Sequence, residues 1–175
     1  MERDNTHQDS NDIDSSISKK NDLLKLLDDY EVKVYSNADV DYDYLSDESF
    51  MLVVINPYGD NTLEIEIGDE CTVFFAGWHA HYFTFASDYE EMKKDITGIL
   101  EGDIGVLLVA NSTGRFMHSE LYFSEISHLT DEIGLLSNVN EETTKHLFET
   151  GGKIYVKYWK PADSFTFDIP IGGKI

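Results

Sequence analysis

The apolar residues of this chain fall into short patterned blocks that begin only after residue 14. Residues 1–14 are polar and without periodicity, which predicts a disordered acidic N-terminal tail. In "SSISKKNDLLKLLDDY", Ile17, Leu23, Leu24 and Leu27 fit one face of an amphipathic helix ending near Asp28. "EVKVY" (31–35) alternates as a short strand, and "SNADVDYDYLSDES" (36–49) reads as an exposed acidic loop. The apolar run "FMLVVI" (50–55) has the length of a buried strand, and "NPYGDN" (56–61) places Pro and Gly where a turn needs them. "TLEIEI" (62–67) then alternates strictly, with Leu63, Ile65 and Ile67 inward and Thr62, Glu64 and Glu66 toward water. "CTVFFAGWHAHYFTF" (71–85) reads as one long strand bent at Gly77, so that three strands joined by short turns form an antiparallel meander.

"SDYEEMKKDITGILEGD" changes the period from two to 3.6. Tyr89, Met92, Ile96, Ile99 and Leu100 make one apolar face, Ser87 and Glu90 have the spacing of a capping box, and Gly102 is placed to end the helix. "IGVLLVA" (104–110) is apolar on both faces and is expected to be a central strand, followed by a second strand, "FMHSELYF" (116–123). Residues 124–136 show a weaker helical spacing through Ile126, Leu129, Ile133 and Leu136. Asn140 and Gly151 bracket a short capped helix, and "KIYVKYW" and "SFTFDI" form a last hairpin around "KPAD". These elements predict a single α+β domain over residues 15–175. It is a mainly antiparallel sheet of six to eight strands with two to four helices packed on it.

Charge narrows the function classes. The 175 residues include 34 acids and 13 bases, a formal net charge of −21. The excess is shared along the chain, with net −9 in residues 1–48 and −12 in residues 49–175. Such a surface disfavours direct nucleic-acid binding, which needs basic groups to replace phosphate counterions, and steers toward basic partners. No apolar run approaches the roughly 18–20 residues that cross a bilayer. "MERDNTHQDSND" has no apolar core, and the single Cys71 forms no internal disulfide. Both features fit a cytoplasmic protein without a secretory signal.

The chemistry candidates centre on "GWHAHYFTF" (77–85). On a regular strand His79 and His81 share a face, the way an H-x-H pair offers two imidazoles to one ion. His118 and Glu120 share a face of another strand and would complete a zinc or iron set. The spacing resembles the H-x-H of cupin barrels, but the following Glu and the second Pro-Gly-His motif of that family are missing. Cys71 opens an apolar strand with no basic neighbour in sequence and is expected to be an inert core residue. No nucleophile elbow or complete phosphate-binding glycine loop occurs. The expectation is therefore a protein without catalytic residues or a cofactor, with a metal-dependent enzyme built on His79, His81, His118 and Glu120 as the alternative.

The binding reading rests on aromatic residue types that anchor interfaces: Trp78, Tyr82, Tyr158 and Trp159. "LEIEIGDECTVFFAGWHAHYFTF", the helix "SDYEEMKKDITGILEGD" and the strand "IGVLLVA" together resemble the immunity proteins encoded beside bacterial polymorphic and contact-dependent toxins. The resemblance covers roughly residues 50–123 and is most specific at "GWHAHY". It implies a protein that binds a cognate, basic toxin domain and blocks its active site. On that reading Trp78, His79, His81 and Tyr82 are contacts, and Asp41, Asp43, Asp47 and Glu48 supply electrostatic steering.

Overall fold

A computed structural model describes residues 15–36, 38–39, 48–83, 85–123, 136 and 139–172. The elements run α1 (Ser16–Leu26), β1 (Val32–Ser36), β2 (Phe50–Val54), β3 (Leu63–Ile67), β4 (Cys71–Phe75), β5 (Trp78–Tyr82), α2 (Ala86–Glu101), β6 (Ile104–Asn111) and β7 (Phe116–Phe123). They finish with α3 (Glu141–Thr150), β8 (Gly152–Lys157), a 3-10 turn (Pro161–Asp163) and β9 (Phe165–Ile169). The fold is α+β and antiparallel, as the patterning predicts. The strands, however, divide into two sheets, one ordered β1-β2-β3-β4-β5 and the other β7-β6-β8-β9. The tail, most of the acidic loop and the expected helix at 124–136, apart from Leu136, lie outside the described residues.

The single long strand expected over 71–85 is a hairpin. Ala76 and Gly77 both adopt positive φ, 50° and 94°, which is the requirement of a two-residue type I′ turn. Two shorter strands therefore replace one bent strand, with Phe75 opposite Trp78, Val73 opposite Ala80 and Cys71 opposite Tyr82. An unbroken strand would place His79 and His81 on the side of Cys71, Val73 and Phe75; because paired residues share a face, the turn places them on the other side. Trp78, Ala80 and Tyr82 point inward with Cys71, Val73 and Phe75, while His79 and His81 point outward with Phe74 and Thr72.

α2 crosses from the first sheet to the second. Its start differs from the expected capping box: the Asp88 and Tyr89 amides donate to the Phe85 carbonyl, so the helix begins at Ala86, and the Ser87 hydroxyl donates to Asp88 Oδ1. Its end is as predicted. Gly102 is left-handed, with its amide bonded to Ile99 and the Asp103 amide bonded to Gly98, a Schellman arrangement. Gly98 lets the helix approach the second sheet closely, since a Cβ there would lie 2.5 Å from Ile104 Cδ1.

Two apolar clusters lie on opposite faces of β6, which is buried from Ile104 through Ala110. On one face, Val106 and Leu108 join the inward residues of the first sheet, Leu23 of α1 and its C-cap Leu27, and Met92, Ile96 and Ile99 of α2. On the other, Leu107 and Val109 pack with Ile154, Val156, Ile169 and Leu147 of α3. Each fully buried side chain of this kind contributes about 1.5–3 kcal/mol. The first sheet thus has one face against the shared core and one face turned away from it.

Candidate functional site

The outward face of the first sheet carries two cross-strand rows. One runs Lys33, Val53, Glu64, Phe74, His79, and the other Tyr35, Met51, Glu66, Thr72, His81. The alternation that buries Leu63, Ile65 and Ile67 is what places Glu64 and Glu66 here, and the hairpin turn adds the two histidines beside them. His79 and His81 are exposed, with ring centroids 5.4 Å apart and planes nearly perpendicular. His79 also stacks over Phe74 at 5.8 Å with an interplanar angle of 28°.

Hydrogen bonding fixes His81. Its Nδ1 lies 3.1 Å from Thr72 Oγ1 and 3.2 Å from Glu70 Oε1, Glu70 reaching across from the turn after β3. Glu66 lies beside Thr72 in the same row, and its carboxyl is held above the ordinary range, by partial burial first and by the Glu70 charge second, with His81 acting the other way. The face is thus richer in carboxylates than in cations. Glu64 accepts a 3.0 Å bond from the Thr62 hydroxyl, which fixes the carboxylate at the rim.

The expected contact residues separate. His79 and His81 are on the open face and Glu48 is exposed, whereas Trp78 and Tyr82 are 7% and 8% exposed and belong to the core. Trp78 and Tyr82 are core residues because the type I′ turn sets the parity of β5, not because of their residue type. Tyr82 uses its hydroxyl internally, donating to Asp95 Oδ2 at 2.6 Å. Burial raises the Tyr82 hydroxyl, with the Asp95 bond second; burial also raises the Asp95 carboxyl, against the pull of Tyr82. Asp41, Asp43 and Asp47 lie outside the described residues. Tyr158 and Trp159 are buried as well, and burial pushes the Tyr158 hydroxyl up to about 12.

The four proposed metal ligands are not brought together. His118 and Glu120 pair with Val109 and Leu107 on the α3 side of the second sheet, while His79 and His81 face away from the core on the first. His118 Nε2 lies 3.3 Å from Glu120 Oε2 without hydrogen-bonding geometry. Among the described residues no three His, Cys, Asp or Glu side chains are placed to hold a metal ion. Cys71 has a basic neighbour that the linear sequence does not reveal: Lys19, buried and bonded to the Gly68 carbonyl at 3.3 Å. Burial still dominates and raises the Cys71 thiol, keeping it protonated.

Two of the concavities among the described residues adjoin the first sheet and its helices. One, of about 390 Å³, lies at the turn end of the outward face and is lined by Asp60, Thr62, Glu64, Phe74 and His79, among others. The other, of about 740 Å³, lies between α1 and α2 and reaches Phe123. Its central Lys93 is already paired, with Glu90 at 2.6 Å and Asp22 at 3.3 Å. Both join residues far apart in sequence, so periodicity gives no signal for either. No family model matches the chain, and no match is found among curated proteins or among solved structures. No helix among the described residues is long and apolar enough to cross a membrane.

Proposed function

We propose that this protein is a non-catalytic acidic binding protein of the cytoplasm, an immunity protein that captures a basic toxin domain and covers its active site. One observation carries the reading. The sheet face turned away from the core combines three carboxylates (Glu64, Glu66, Glu70) with an open Phe74–His79–His81 cluster, in a chain of net charge −21. Carboxylates speed encounter with a cationic partner, and stacked rings give contact area at small entropic cost. The contact set is therefore His79, His81, Phe74, Glu64, Glu66 and Glu70, with Glu48 left to steering. Trp78 and Tyr82 support the face from behind.

Such a surface occupies a cationic cleft as a phosphate backbone would, which fits a nuclease-type toxin and not nucleic acid itself. The test is co-expression with the toxin domain encoded beside the gene. Cells survive and the two proteins co-purify on this reading; lethality with no complex would overturn it.

A further inference from the structure

The 390 Å³ concavity at the end of the β4–β5 hairpin has a composition that selects one kind of ligand. Its lining includes the Phe74 ring, with the His79 imidazole stacked on it, and the Asp60 and Glu64 carboxylates; among the described residues no lysine or arginine lines it. Among the described residues neither carboxylate makes an ion pair, although Glu64 is oriented by the Thr62 hydroxyl. The volume falls within the range of about 300–1,000 Å³ usual for sites that enclose a ligand group.

We propose that this concavity receives an arginine side chain of the basic partner, a deepening that rests on the proposed function. A guanidinium is planar and weakly hydrated, so its face lies on an aromatic ring while its N–H fork meets a carboxylate. Lysine offers a compact, strongly hydrated ammonium with no plane to stack, and an anion would meet two uncompensated carboxylates. Glu64 and Asp60 accept the N–H groups, Phe74 and His79 form the stacking wall, and the Ala76–Gly77 turn leaves the entrance free of a long side chain.

The test needs no toxin. The full-length protein is titrated with the blocked tripeptide Gly-Arg-Gly and followed by backbone amide NMR, with Gly-Lys-Gly and the neutral isostere Gly-citrulline-Gly as controls. Shifts centred on Glu64, Phe74 and His79, weaker with lysine and absent with citrulline, are the expected result. Glu64→Gln and Phe74→Ala should each weaken the arginine peptide about fivefold, the size of a cation–π or charge-assisted contact near a surface. Should Phe74→Ala disturb the sheet, Phe74→Leu keeps the bulk and removes the ring. Equal binding of citrulline, shifts spread evenly over all acidic surfaces, or unchanged affinity in the variants would overturn the assignment. A toxin neutralised by a protein that ignores the peptide would sink the pocket alone; a bound peptide with no toxin neutralised would sink the proposed function alone.

Discussion

Trp78 and Tyr82 alternate with His79 and His81 on one five-residue strand, yet the two pairs do opposite work. The first pair is buried against α2 and β6, and the second stands on the open face. Aromatic character and nearness in sequence predict similar roles; strand parity separates them. Residue type says what a side chain is able to do, and the position of the turn says which side of the sheet it does it on.

The largest expected contrast is in stability. Trp78→Ala should destabilise the fold by about 3–5 kcal/mol, as for other large core aromatics, whereas His79→Ala with His81→Ala should change it by no more than about 0.5 kcal/mol per site. Urea denaturation of the two variants measures the gap, and comparable losses would mean that the two faces are not distinct.

Tyr82→Phe should cost about 1–3 kcal/mol at neutral pH, because it leaves the half-buried Asp95 carboxylate without its 2.6 Å donor. The sign with pH follows from Asp95, whose folded pKa is already raised by burial and rises further without Tyr82. The penalty falls on the ionised form, so it is present at pH 7 and shrinks as pH falls through that raised value. Thermal melts of wild type and variant from neutral to mildly acidic pH should converge, and divergence would contradict the assignment. Gly77→Ala comes next: an L-residue at φ 94° should lose about 1–2 kcal/mol, and a silent substitution would question the type I′ turn that sets the parity.

Most of the fold was legible because burial imposes its own periodicity. Leu63, Ile65 and Ile67 alternate because one face of β3 meets the core, and β6 is apolar throughout because both of its faces do. The split into two sheets was not legible, since nothing local distinguishes a strand that pairs with β5 from one that pairs with β8. The hairpin at Ala76–Gly77 was missed for a related reason. Alanine carries no turn preference, yet Ala76 takes a positive φ between the paired residues Phe75 and Trp78. On the hairpin, spacing marked His79 and His81 as a pair on one face, whereas Trp78 and Tyr82, chosen by residue type as interface anchors, are core residues. Glu64, Glu66 and Glu70 carried no signal among 34 acids until the register set them beside the histidines.

The smallest structural change gives the most direct test of the proposed binding face. Glu64→Gln, Glu66→Gln and Glu70→Gln together remove three charges from the outward sheet face. Glu141→Gln, Glu142→Gln and Glu149→Gln remove three from exposed positions of α3. Both triple variants carry the same net charge, so neutralisation of the proposed toxin partner in co-expression separates local recognition from general acidity. The sheet-face variant should fail to protect while the α3 variant protects like wild type. Equal protection by both, or equal loss, would contradict the claim that the outward face of the first sheet is where the partner binds.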